Sequence, residues 1–178
     1  ADSVAVSHAA LTRRGISATV RPGELPGLVE WVPAIPSNQP RIDIVIPTRD
    51  RVDLVRQCLS SLEALTTYAN WDVIILDNDS VDPSTLAFFE ETKYRVIPCP
   101  GPFNYAAIMN RGIAHSSADF VVTLNNDTII QTPDWLEQLL GYAHLPDVGI
   151  VGACLQDQYG RGEHESIVIA PFPQHLRT

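Results

Sequence analysis

Four short apolar runs are separated by three stretches of helical periodicity, and this alternation constrains the fold more than any other feature of the chain. The runs are Ile42–Ile46 (IDIVI), Trp71–Leu76 (WDVIIL), Tyr94–Ile97 (YRVI) and residues 119–124 (DFVVTL). Aliphatic, β-branched runs of this length bounded by polar residues read as strands buried on both faces. Between them, Val52, Val55, Leu59 and Leu62 recur at helical spacing over 51–65. Pro83 suits a first helical turn continued by Leu86, Phe88 and Phe89, and Tyr105, Ile108, Met109, Gly112 and Ile113 can share one face of a helix over 103–116 capped by Asn104. Strand and helix in strict alternation predict an α/β fold, Rossmann-like, with a mostly parallel sheet and helices on both faces.

The strands end in polar clusters. The run at 120–128, FVVTLNNDT, turns abruptly from Val121, Val122 and Leu124 to Asn125, Asn126 and Asp127. The second strand runs into Asp77-Asn78-Asp79-Ser80, and the first into Pro47-Thr48-Arg49-Asp50, where Asp50 is placed to cap the following helix and Asp53 lies in its first turn. Each cluster alone fits a turn as well as a ligand site, since Asn and Asp are turn formers. Together they favour a site, because open α/β sheets bind ligands outside the carboxyl ends of their strands.

The ligand class follows partly by elimination. A dinucleotide-binding fold needs G-x-G-x-x-G after its first strand, and PTRDRV contains no glycine; a P-loop is equally absent. A phosphate-bearing ligand would need neutralisation by a metal, an Arg or a helix N-terminus, and the alternative favoured over a Gly-rich cradle is a divalent cation, Mn²⁺ or Mg²⁺, held by carboxylate and amide oxygens, with Asp127 the best single ligand. Asp77 is placed to accept hydrogen bonds from a base or ribose.

Composition narrows the class further. The 178 residues are 45% hydrophobic, enough for a buried core, and the formal net charge is −9. Residues 1–40 hold three acids and three arginines, so the remaining 18 acids and 9 bases place the whole excess on 41–178. No basic stripe is present, which argues against nucleic acid as a partner. Cys58, Cys99 and Cys154 fall in no metal spacing and read as free thiols of a cytoplasmic protein. No run approaches the ~20 apolar residues of a membrane span, and no signal pattern opens the chain. A helix over 3–14 stopped by Gly15 and short strands at 16–20 and 28–32 are expected before the breakers Pro33, Pro36 and Pro40. Residues 1–40 thus read as an arm or linker and 41–178 as the domain.

Several of these segments, in this order, resemble family 2 glycosyltransferases of the GT-A fold. The segments are IDIVIPTRDR (42–51), VIILDNDS (73–80), FNYAAIMNRGI (103–113), FVVTLNNDT (120–128), PDWLEQLL (133–140) and VGIVGA (148–153). The wording is similar to bacterial enzymes that build O-antigen and other surface polysaccharides. The resemblance implies transfer of a sugar, with inversion, from a UDP- or dTDP-sugar to a saccharide or lipid-linked acceptor. Pro47, Thr48 and Asp50 match the loop touching base and ribose; Asp77 matches the base-binding aspartate, with Asn78 and Ser80 beside it. Asn110 and Gly112 match the helix preceding the metal motif, while Asn125 and Asp127 match the ends of D-x-D, whose second carboxylate contacts Mn²⁺ or Mg²⁺ on the diphosphate.

Three departures stand out. Asn125 replaces the first carboxylate, Asp79 a usual glycine, and Met109 a frequent arginine. The resemblance also implies a general base beyond a strand expected at 166–169, so the chain is expected to be the N-terminal part of a longer transferase whose acceptor half is missing. Asp157, Glu163 and Glu165 in DQYGRGEHE read more simply as a solvated turn, and His164 as a surface or packing residue. The full-length protein is expected in the cytoplasm, with peripheral association at the inner membrane face compatible with it. The competing reading is a non-catalytic module that keeps the fold for binding.

Overall fold

The computed structural model describes residues 2–23, 25–157, 159–164, 166–168 and 174–176. In chain order the elements are α1 (Ser3–Arg13), β1 (Ala18–Pro22), β2 (Val29–Pro33), β3 (Ile42–Thr48), α2 (Val52–Leu65), β4 (Trp71–Asp77), α3 (Pro83–Glu91), β5 (Arg95–Pro98), α4 (Tyr105–His115), β6 (Phe120–Thr123), α5 (Trp135–Ala143), β7 (Leu155–Gln156), β8 (Gly162–His164), β9 (Ser166–Val168) and β10 (Gln174–Leu176). They fall into two compact units, 36–136 and 1–35 with 137–178.

The unit of residues 36–136 holds a four-stranded parallel sheet in the order β5-β4-β3-β6. The chain steps outward from β3 through β4 to β5 and then crosses back to pair β6 with the free side of β3. Right-handed crossovers put α2 and α3 on one face and the returning α4 on the other. The pleat divides the core accordingly. On one face Val45, Ile74, Leu76 and Ile97 pack with Ile108 and Met109 of α4. Ile44, Ile46, Val73 and Ile75 point the other way and are fully buried, as are Val55 and Leu62 of α2. Each such side chain contributes about 1.5–3 kcal/mol of apolar burial. Gly112 sets the closeness of α4 to the sheet: a Cβ there would lie 2.5 Å from Val45 Cγ1 and 2.8 Å from Leu76 Cδ1.

Several expectations are corrected in detail. The FVVT run is the end strand of the described sheet, pairing only with β3, and its residues are half-buried with Thr123 exposed, so it is not covered on both faces. Tyr105 and Ile113 do not join the buried face of α4 and are each 44% exposed. Asn104 caps α4 as expected, its side chain accepting from the Ala107 N–H at 3.1 Å. Asp50 does not cap α2. The cap position is Arg51, which makes no side-chain cap, and both residues are left-handed at φ 53°.

In the other unit, β1 and β2, close to the short strands expected at 16–20 and 28–32, form an antiparallel hairpin. Trp31 meets Tyr142 edge-on at 5.3 Å, and the Tyr142 hydroxyl donates to the Trp31 carbonyl. The Asp157 carboxylate accepts the Tyr159 and Arg161 N–H groups, closing the expected turn before β8. Ile169 of the strand expected at 166–169, and the side chains of Glu163, His164 and Glu165, lie outside the described residues. Among the described residues no helix is long and apolar enough to cross a membrane.

Candidate ligand site at the strand ends

The sheet order fixes where a ligand crevice belongs. Because β4 and β5 lie on one side of β3 and β6 on the other, the direction of winding reverses between β3 and β6, and the crevice opens outside their carboxyl ends. A cavity of about 220 Å³ lies there, lined by Pro47, Thr48 and Arg49 after β3, Asn78 after β4, Phe103, Tyr105 and Ile108 around the start of α4, and Asn125, Asn126 and Asp127 after β6. Four segments far apart in sequence supply one site.

Hydrogen bonds hold these loops in register. The Asn126 side chain donates to the Thr48 hydroxyl at 3.0 Å, and that hydroxyl donates to the Asp50 carbonyl at 3.1 Å. The Asp50 carboxylate accepts the Val81 and Asp82 N–H groups at 2.7 and 2.8 Å, while the Asp50 N–H donates to the Ser80 hydroxyl at 2.8 Å. Asp77 accepts the Ser80 N–H at 3.0 Å. Beyond it, Asn78 Nδ2 donates to the carbonyls of Cys99 and Gly101, at 2.8 and 3.0 Å, and Asp79 accepts the Gly101 N–H at 2.7 Å. Under the β6 loop, the buried Cys58 thiol lies 3.8 Å from the Asn125 carbonyl. Burial, and secondarily the Asp127 charge, raise this thiol to about 11, so it stays protonated and inert at neutral pH.

Of the residues singled out from sequence, the cavity brings together Pro47, Thr48, Asn78, Asn125 and Asp127. Asp50, Asp77 and Ser80 stand behind it and knit the loops, and Asn110 is exposed on α4 outside the lining. Sequence reasoning places Asn126 in the polar cluster after β6 without giving it a role, and does not single out Phe103 or Tyr105 as lining residues. Asn126 sits inside a turn-forming cluster, and the two aromatics are absorbed into a helical pattern.

The donor set of the cavity is hard: the exposed Asp127 carboxylate with the exposed Asn125 amide two residues earlier. Among the described residues no group of three or more His, Cys, Asp or Glu side chains could enclose a metal ion. One carboxylate and an amide oxygen do fit a Mg²⁺ or Mn²⁺ ion that completes its shell with water and substrate phosphates, the habit of these ions at phosphate sites. Arg49 is the cation of the lining, suited to a phosphate oxygen.

Comparison with known proteins agrees with this architecture. The family model of Glycosyl transferase family 2 matches residues 43–173. The chain is 37% identical over 135 residues to the uncharacterized protein y4gI of Sinorhizobium fredii, covering 73% of this chain and 15% of that one. It is 33% identical over 163 residues to the O-antigen biosynthesis protein RfbC of Myxococcus xanthus, covering 89% of this chain and 12% of that one. The chain thus spans well under a quarter of the length of either relative. Among solved structures, the mannosyltransferase PcManGT of Pyrobaculum calidifontis, in complex with GDP-Man and Mn²⁺, superposes with a TM-score of 0.59 at 20% identity over 87% of this chain and 44% of that one. That likeness establishes the fold as GT-A.

Proposed function

The chain belongs to glycosyl transferase family 2, and on that premise we propose that residues 41–178 form the donor-binding part of a transferase that moves a sugar from a nucleoside-diphosphate donor, UDP- or dTDP-linked, to a saccharide or lipid-linked acceptor in surface-polysaccharide synthesis. The observation that carries this is the convergence of Thr48, Asn78, Asn125 and Asp127 on one cavity at the point where the sheet reverses direction. The relative in O-antigen biosynthesis supports the polysaccharide setting, and the GT-A neighbour solved with GDP-Man and Mn²⁺ supports the ligand classes.

In this reading Asp127 and Asn125 would hold a divalent cation, which when bound would supply positive charge to offset that of the diphosphate leaving group. Thr48 and Asn78 contact the nucleoside, and Arg49 faces a phosphate oxygen. Asp50, Asp77 and Ser80 keep the loops at fixed spacing, so the donor meets a prearranged site. The reaction is an inverting displacement. The acceptor oxygen bonds to the anomeric carbon, the bond from that carbon to the phosphate oxygen breaks with its electron pair leaving on the nucleoside diphosphate, and the hydroxyl proton passes to a carboxylate base. We place that base outside this chain. The full-length protein would work in the cytoplasm, at the inner membrane face where a lipid-linked acceptor resides.

Calorimetric titration with UDP, dTDP and GDP, with and without Mn²⁺, tests the donor site. Saturable binding strengthened by Mn²⁺ is expected. Absence of binding by any of the three in the presence of Mn²⁺ would favour a non-catalytic module.

A further inference from the structure

The crevice opens where two paired strands part. β3 and β6 keep parallel register as far as Val45 opposite Thr123, and the ladder closes with the Leu124 N–H donating to the Val45 carbonyl at 3.0 Å. On its other side β3 stays paired with β4 up to Thr48 opposite Asp77, and the Asn78 N–H donates to the Thr48 carbonyl at 2.9 Å. The end of β3 is therefore fixed to β4 by backbone, while the chain after β6 leaves it. Pro47, Thr48 and Arg49 line one wall of the cavity, and Asn125, Asn126 and Asp127 the other.

One side chain crosses the gap. Asn125 and Asp127 are exposed, but Asn126 between them is half-buried. The three open a turn closed by the Thr128 N–H, which donates to the Asn125 carbonyl at 3.3 Å. Asn126 Nδ2 donates to the Thr48 hydroxyl at 3.0 Å. Thr48 is 5% exposed and gives its own proton to the Asp50 carbonyl at 3.1 Å, so toward Asn126 the hydroxyl serves only as acceptor. That requirement fixes the Asn126 amide with its NH₂ turned inward. The middle residue of the N-N-D run thus has a task different from its neighbours: they offer oxygens to the cavity, and it holds the opposite wall. Through Asp50, whose carboxylate takes the Val81 and Asp82 N–H groups, the connection continues into the loop after β4.

We propose that Asn126 is a positioning residue: its bond to Thr48 sets the spacing between the turn carrying Asn125 and Asp127 and the loop carrying Pro47 and Thr48, so that the two ends of a nucleoside diphosphate are met together. The inference rests on the donor-site reading and concerns the width of that site, not a further contact with the ligand. A ligand that reaches both walls binds more tightly when the second wall is already in place; a ligand that reaches one wall gains nothing from it. A direct contact of Asn126 with the cation would instead weaken the cation alone.

The test is calorimetric titration of UDP in Mn²⁺ for the wild type, Asn126→Ala, Thr48→Val and the double variant, with Mn²⁺ alone and uridine alone as ligands that reach one wall each. Loss of one neutral hydrogen bond predicts a weakening of UDP by about five-fold in Asn126→Ala. On the Thr48→Val background the same substitution predicts no further weakening, because the bond is already gone. Affinities of Asn126→Ala for Mn²⁺ alone and for uridine alone are expected to match the wild type. Unchanged UDP affinity in Asn126→Ala, or a loss that persists in full on the Thr48→Val background, would overturn the positioning role and leave the donor site standing. A loss for Mn²⁺ alone equal to that for UDP would overturn it too, making Asn126 a cation ligand. Thr48→Val keeps the volume of a buried side chain; should it fail to fold, the three ligands compared on Asn126→Ala decide the matter alone. Failure of the wild type to bind UDP in Mn²⁺ would overturn the donor site and this role together.

Discussion

The Asp50 carboxylate accepts the backbone N–H of Val81 at 2.7 Å, joining the loop after β3 to the loop after β4 across 31 residues of sequence. The same oxygen takes the Asp82 N–H at 2.8 Å. This bond explains a left-handed Asp50 followed by a left-handed Arg51, an arrangement that L residues avoid unless their surroundings hold it. Asp50→Ala is expected to destabilise by about 2 kcal/mol, since a carboxylate hydrogen bond to backbone is worth about 1.5–3. Asp50→Asn, which keeps the accepting oxygen, should lose less than half of that. Urea midpoints of the two variants check the order.

Asp79 sits at φ 57° and spends its carboxylate on the Gly101 N–H. Two effects of about 1 kcal/mol each are therefore opposed at this position: glycine would relieve the backbone, and any loss of the carboxylate would release the β5–α4 segment. Asp79→Gly should be close to neutral, and Asp79→Ala should be the less stable of the two by about 1 kcal/mol. Thermal melts of the pair decide it, and equal stability would mean the backbone strain is negligible.

Gly112 lets α4 approach the sheet. Because a Cβ at this position would lie 2.5 Å from Val45 Cγ1, Gly112→Ala must displace either the helix or the Val45 side chain. Overpacking of this kind costs about 1–3 kcal/mol. Gly112→Ala combined with Val45→Ala should recover part of the loss, and a double-mutant cycle measures the coupling.

The thiols give a pH prediction. Cys58 and Cys99 are buried and Cys154 is exposed, so a thiol reagent should titrate one cysteine of three in the native protein and all three in denaturant. The folded-state value for Cys58, raised from 9.0 to about 11, means that the native state holds a proton the unfolded chain releases. Its contribution to stability is complete below pH 9 and is lost as pH rises from about 9 toward 11. Cys58→Ala should flatten the alkaline decline in stability over that window.

Much of this is readable in the chain, and the exceptions share a cause. Strand–helix alternation predicts the sheet, and Asn104 and Pro83 mark helix starts, because these signals are local. Asp50 looks like a cap because Ser, Asp and Asn before a helix usually are; the N–H groups that claim it come from residues 81–82, beyond the reach of a local pattern. Tyr105 shares the helical period of the core, yet the sheet beneath ends before reaching it, so it stays open to the cavity. The apolar FVVT run suggests full burial, but strand order is a tertiary property and puts it at the end of the described sheet.

The donor site stands or falls on the gain in UDP affinity produced by Mn²⁺, measured by calorimetry in the wild type, Asp127→Ala and Asn125→Asp. A gain of about ten-fold or more is expected in the wild type, none in Asp127→Ala, and a larger gain in Asn125→Asp, where a second carboxylate joins the first. A Mn²⁺-dependent gain that survives Asp127→Ala would contradict this assignment, because the cation would then be held elsewhere.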